Sequence, residues 1–201
     1  MTKTRSLIGA VSAVTAITAV SLLCAGTAQA AVIATTQITP TTMLPFFTFG
    51  NQQFTIDQIA DGINADSPFN GFAADGIGVG RITLTLDQTY DLDSFTLWND
   101  INVSNEGVRS FTLSFEDVGG MLLASTGTLS AVSQLAPQVY SFASTVTGVK
   151  TVQLDVLTSS LQVEIREVVF NGVATVPEPA TLATMLAGLA AMGWLLRRQR
   201  A

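Results

Sequence analysis

Histidine is absent from this 201-residue chain, and cysteine occurs once, at Cys24. Without histidine, Ser-His-Asp triads and His-based zinc sites are excluded. Cys24 lies in an apolar N-terminal stretch, so a chain shortened there has neither disulfide nor thiolate chemistry. Basic residues are scarce, nine against fifteen acids. Residues 31–175 keep only Arg81, Arg109, Lys150 and Arg166 against fourteen acids, a net charge of −10. Such a body repels nucleic acid and anionic surfaces, attracts cations and stays soluble. No Ser-x-x-Lys or phosphate-cradling loop occurs. Gly76-Ile77-Gly78-Val79-Gly80 departs from the dinucleotide fingerprint and leads into a strand, so these are turn glycines. Paired carboxylates remain, and such pairs can cleave glycosidic bonds. With so many acids, pairs arise by abundance alone. The expectation is a protein that binds and does not catalyse.

Both ends carry long apolar runs. Met1–Ala30 reads as a secretory signal peptide: Lys3 and Arg5, an apolar Leu7–Ala25, then Ala28-Gln29-Ala30 with cleavage after Ala30. An uncleaved anchor, or a lipoprotein processed at Cys24, are the alternatives, although Leu23 fits lipoprotein processing poorly. At the other end, Val176-Pro177-Glu178-Pro179 is stiff and non-helical, because each proline fixes φ and lacks an N–H. Ala180–Leu196 is uncharged and apolar, about 25 Å long as a helix at roughly 1.5 Å per residue, which is short but sufficient for a membrane span. Arg197, Arg198 and Arg200 form a basic end held cytoplasmic by the positive-inside bias. A core helix would need a polar face, and this run has none.

Pro177-Glu178-Pro179, the apolar helix and the arginine cluster together resemble the PEP-CTERM sorting signal of exported bacterial proteins. The resemblance covers only 176–201. It implies recognition by an exosortase, a membrane transpeptidase that cleaves near Pro-Glu-Pro. It also implies transient anchoring in the membrane, then delivery to the cell envelope, outer surface or extracellular matrix.

Between these ends lie residues 31–175, one domain's worth of chain, long enough to bury a core without staples. Ala31–Phe49 is Thr-rich and interrupted by Pro40 and Pro45, and an edge strand is expected at its start. Gln52–Gly80 shows neither helical nor strand periodicity and reads as long ordered loop, packed by Phe54, Phe69 and Phe72. Alternation follows at Ile82/Leu84/Leu86, Phe95/Leu97, Phe111/Leu113/Phe115, Tyr140/Phe142, Val152/Leu154/Val156 and Val163/Ile165. Such short runs, bounded by Gly, Asn, Asp or Ser, predict an all-β antiparallel β-sandwich of jelly-roll type. A signal helix and a hydrophobic helix should flank it. Hairpin connections are expected at Asn102–Gly107 and Asp117–Gly120. The last strand breaks its own parity: after Val163 and Ile165 comes Glu167, then Val168 and Phe170 take the opposite parity. A bulge or strand switch near Glu167 would reconcile this and turn a carboxylate toward the interior or toward the domain's end. If buried, such a carboxylate needs pairing or a metal; the alternatives are a salt bridge to Arg166 or Arg81, or a merely exposed Glu.

Asp61-Gly62-Ile63-Asn64-Ala65-Asp66-Ser67, with Glu164-Ile165-Arg166-Glu167-Val168 far downstream, resembles the discoidin or galactose-binding-like sandwich. The runs Tyr90–Asp100 and Gly107–Phe111 fit the same likeness, which spans roughly residues 50–172. Phe69 stands where that family has a tryptophan, so ligand specificity does not transfer. The resemblance implies that the Asp-Gly loop and the late Glu meet and hold a structural calcium. Asp61, Asn64, Asp66, Ser67 and Glu167 offer the hard oxygens calcium takes. The alternative is that the loop's Asp and Asn residues make Asx turns. Trp98, Asn99, Asp100, Asn102 and Arg109 combine an aromatic plate with polar groups and are the candidate sugar-contacting set. The alternative for Trp98 is a core or edge tryptophan. The functional expectation is an exported, non-catalytic module that binds exopolysaccharide. A structural or adhesive matrix protein and a secreted glycoside-active enzyme are the competing readings.

Overall fold

The computed structural model describes residues 30–64, 70–99, 107–132, 134–159 and 162–175, together with Leu189. The signal-peptide segment before Ala30 and the tail from Val176, with its apolar run, arginines and Pro-Glu-Pro, lie outside the described residues apart from Leu189. Among the described residues no helix is long and apolar enough to cross a membrane.

The elements are β1 (Ala31–Val32), a 3-10 turn (Thr35–Gln37), β2 (Ile38–Thr42), a small hairpin of β3 (Thr48–Phe49) and β4 (Gln52–Gln53), and a second 3-10 turn (Ile56–Ala60). Then come β5 (Phe72–Ala73), β6 (Gly80–Asn99), β7 (Val108–Glu116), β8 (Leu122–Ser125), β9 (Leu129–Ser130), β10 (Gln138–Ser159) and β11 (Glu164–Ala174). The main sheet runs β1-β11-β6-β10-β7-β8, with β2 on β6, β5 on β11 and β9 on β7. All these pairings are antiparallel, as the alternation predicts.

Two strands are long enough to serve both layers of the sandwich. The first part of β6 pairs with β2 and with Thr151–Val156 of β10, while its second part pairs with β11 and with Gln138–Val146. The runs at Ile82–Leu86 and Phe95–Leu97, expected as separate strands, are thus one strand. No Gly or Pro in Asp87–Asp93 breaks it. Instead its buried side switches parity, from Leu92 to Phe95, where the register of both neighbours shifts. Shifts of this kind let a strand turn a corner between sheets. The face formed by Phe95, Phe111, Phe115, Tyr140, Phe142 and Phe170 closes the core, with ring centroids 5.0–6.2 Å apart. Among the described residues, every buried member of the core cluster falls between Ile33 and Phe170.

The Asp117–Gly120 turn forms as expected. The Asp117 carboxylate accepts from the N–H groups of Gly119 and Met121 at 2.8 and 2.9 Å, and Gly120 N–H donates to the Asp117 carbonyl at 3.1 Å. Residues 102–106 of the expected Asn102–Gly107 hairpin lie outside the described residues, but the strands it would join are not paired with each other. β6 and β7 are not neighbours, because β10 lies between them. Composition marks where a chain turns, but the strand that fills the gap comes from far downstream.

Arg81 is committed to Asp155 through two bonds of 2.6 and 2.8 Å on an open surface, so it is not the partner of Glu167. Both ends of this pair remain hydrated. Arg81→Ala is therefore expected to cost no more than about 1 kcal/mol, read as a small shift of the urea midpoint.

Candidate functional site

The parity break in β11 is a bulge. Ile165 lies opposite Asn99 and Glu167 opposite Trp98, so Arg166 is the extra residue. Val163, Ile165, Val168 and Phe170 all face the core with no exposure. By the alternation of β6, Trp98 shares the outer face with Ser94 and Thr96, and Glu167 lies across from it. Of the two expected directions, the interior and the domain's end, the one between the layers is not taken. Glu167 points away from the space between the layers, yet is only 1 % exposed. The Asp61–Gly62 turn, which follows the second 3-10 turn, covers it.

That turn is built locally. Ile63 N–H donates to the Asp61 carboxylate at 2.8 Å, an Asx turn, and Gly62 sits at φ +84°, where only glycine is unstrained. Asn70 closes the loop by donating to the Ile63 carbonyl. Gly62 N–H then donates to Glu167 Oε1 at 3.4 Å, across 105 residues of chain. Glu167 Oε2 is buried with no hydrogen-bond partner. Its carboxyl is pushed up to about 8, first by burial and then by the charge of Asp61, with the Gly62 and Asp61 amides pulling the other way. The covered Glu167 carboxyl thus lies beside the exposed carboxylate of Asp61.

Of the expected oxygen set, Asp61 and Glu167 are together. Asn64 stands exposed three residues after Asp61, and Asp66 and Ser67 lie outside the described residues. Among the described residues no three acids cluster as a metal site would require. The donor chemistry nevertheless fits a hard cation: an orphaned buried carboxylate oxygen, a second carboxylate beside it, and a glycine turn able to aim carbonyls.

The sugar-contacting set divides. Trp98 is half-buried beside Glu167 on the outer face, and Arg109 is half-buried at the start of β7. Asp100 and Asn102 lie outside the described residues. Asn99 leaves the set: it has no exposure, and its amide is spent inside the fold. Its Nδ2 donates to the carbonyls of Val108 and Val132 at 2.8 and 3.0 Å, and its Oδ1 accepts from Val108 N–H at 2.8 Å. It ties the end of β6 to the start of β7 and to the segment after β9. Asn70 and Gly71, which sequence reasoning passed over as mere loop, hold the turn in place from the other side. The glycine at a loop–strand junction was the available signal.

The fold is an antiparallel β-sandwich similar to that of discoidin-type and carbohydrate-binding modules. Similar solved structures bear this out: a family 32 carbohydrate-binding module from Clostridium perfringens solved with galactose has TM-score 0.57 at 9 % identity, covering 71 % of this chain and 99 % of its own. Another module of that family from the same organism, solved with GalNAc-β-1,3-galactose, has TM-score 0.59 at 15 % identity, covering 70 % and 99 %. An F5/8 type C domain from Bacteroides fragilis has TM-score 0.59 at 12 % identity, covering 72 % and 97 %. No curated protein matches the chain in sequence. At the C-terminus, residues 175–200 match the PEP-CTERM protein-sorting motif. The tail therefore marks an exported protein sorted to the cell envelope or the extracellular space.

Proposed function

We propose that this chain is an exported glycan-binding module of the cell envelope or extracellular matrix, delivered by an exosortase-type system. In this reading Met1–Ala30 is removed, 31–175 is the working body, and the tail anchors the chain in the membrane until processing. The observation that carries the binding reading is the pairing of Trp98 with Glu167 across the β11 bulge. It sets an aromatic plate beside the buried Glu167 and the exposed Asp61, at the end of the sandwich where β6 stops and β7 begins. Calcium, held by Asp61 and Glu167 with oxygens from the 62–67 turn, would neutralise that pair and fix the turn. The body then acts by holding sugar, with no reacting group required. The similar modules solved with galactose and GalNAc-β-1,3-galactose make galactose-type units of an exopolysaccharide the first ligands to try.

A glycan array with calcium present tests this on residues 31–175. Retention of a galactose-containing glycan is expected, weakened at least about tenfold, or ~1.4 kcal/mol, in Trp98→Ala with melting temperature unchanged. An array without signal, or a Trp98→Ala protein that binds as the parent does, removes the glycan reading. The body would then be a structural matrix component.

A further inference from the structure

The sorting motif begins where the folded body stops. Residues 175–200 match it, and Thr175 is also the residue that fastens the end of β11 to β6. Ala174 pairs with Tyr90, and Thr175 N–H donates to the Thr89 carbonyl at 2.9 Å. The Thr175 hydroxyl donates to the same carbonyl at 2.9 Å, and the two threonine hydroxyls are bonded to each other. Thr89 therefore clasps the last residue before Val176-Pro177-Glu178-Pro179. This end is also the part of β11 held least. Asn171 and Gly172 have β1 on one side and β6 on the other, whereas Val173–Ala174 pair with β6 alone among the described strands. Val173, Ala174 and Thr175 are half-buried, while Phe170 has no exposure. A register shift between Asn171 and Gly172 separates the two parts. A strand end with little buried surface opens at small cost while the core stays closed.

We infer that this clasp gates the processing of the tail: the chain is cut near Pro-Glu-Pro only after Val173–Thr175 has peeled from β6. The inference rests on delivery by an exosortase-type enzyme and adds the step that limits it. It does not depend on what the body binds. Extended peptides are commonly held by pairing of their backbone groups with the protein that binds them. Pro177 and Pro179 have no N–H to offer, and Thr175 has already given its own to Thr89. Val176 alone is left between the clasp and the first proline. From Thr175 to Pro177 the chain reaches at most about 7 Å, and to Ala180, where the apolar run starts, at most about 18 Å. Peeling frees the Thr175 N–H and adds about 10 Å of slack from Val173–Thr175. The rate of cutting then follows the fraction of chains that are peeled.

Pulse-chase labelling of the full chain in a host with an exosortase-type enzyme, read by mass spectrometry, tests it. Thr89→Val removes one hydroxyl of the clasp from outside the motif and should speed cutting about threefold. Gly-Ser-Gly-Ser inserted between Thr175 and Val176 supplies reach without peeling. It should speed cutting at least about tenfold, and Thr89→Val should then add nothing. Thr158→Val, which breaks the Ser110–Thr158 hydroxyl pair elsewhere on the sheet, should leave the rate unchanged. Hydrogen exchange on the full chain in detergent gives a second reading. The Thr175 amide should be protected in the parent and lose about threefold of that protection in Thr89→Val. An extended chain cut no faster than the parent overturns the gate, as does a Thr175 amide that exchanges like an open chain. If no form is cut where the host's other tailed proteins are, the delivery reading fails and the gate falls with it.

Discussion

In calcium-free buffer at pH 8, Glu167→Gln is expected to melt about 10 °C above the parent body. The argument begins from burial. In the folded chain Glu167 holds its proton to about pH 8, against an ordinary value of 4.5. In the unfolded chain it is ionised above about 4.5. Folding therefore takes up a proton between these values, and stability falls as pH rises through that window. The contribution is complete below about 4.5 and gone above about 8, an upper figure of about 5 kcal/mol at ~1.4 kcal/mol per unit. Glutamine has the same shape and no proton to lose. Its amide can donate to Asp61 and its oxygen can accept from Gly62 N–H, so the contacts survive. Calcium reverses the order. The parent's carboxylate then has a counter-charge, and its stability should rise with pH and with calcium, while the Gln variant responds to neither. Melting curves from pH 5 to 9, with chelator and with calcium, read all four cases. A parent whose calcium-free curve is flat across this range removes the raised Glu167 carboxyl. One that falls with pH yet ignores calcium keeps the raised carboxyl and removes the metal.

What could be read in advance follows the range of the interaction. The faces of β6, β7 and β11 were legible because alternation is local and two-fold: Ile82, Leu84 and Leu86 inward, Thr83 and Thr85 outward. The β11 bulge was legible for the same reason. A polar residue at an inward slot, followed by apolar residues of the opposite parity, has few other solutions. Pairing is not local. Nothing near Asn102–Gly107 says that β10 will come between β6 and β7, and nothing in Asp87–Asp93 says that β6 runs through both layers. Asn99 shows a second limit. An amide beside a tryptophan suits a ligand as well as it suits two backbone carbonyls, and only the positions of Val108 and Val132 decide. Asp61 and Glu167 were placed together by resemblance and by the parity break, and that juxtaposition is present. Their role as calcium ligands rests on the donor chemistry and on the melting curves above.

The same site gives the second large effect, and it rests on an absent side chain. Gly71→Ala is expected to cost about 3–4 kcal/mol and to abolish any response to calcium. Gly71 has φ +105°, and a Cβ there would stand 2.7 Å from the Ile165 carbonyl oxygen and 2.8 Å from Arg166 Cα. Both are backbone atoms of the bulge, so no side chain can swing aside. The chain must instead lift Asn70 and β5 away from β11, or flatten the bulge. Either movement separates the Asp61 turn from Glu167. Gly76→Ala is the matched control. Its φ of +65° is also left-handed, but an added Cβ meets nothing within 4 Å. That substitution carries the conformational cost alone, about 1 kcal/mol. The difference between the two, measured as denaturation midpoints at equal slope, isolates the close approach at the bulge. If Gly71→Ala is no worse than Gly76→Ala, the bulge is free to move, and a mobile bulge cannot be what presses Glu167 against Asp61.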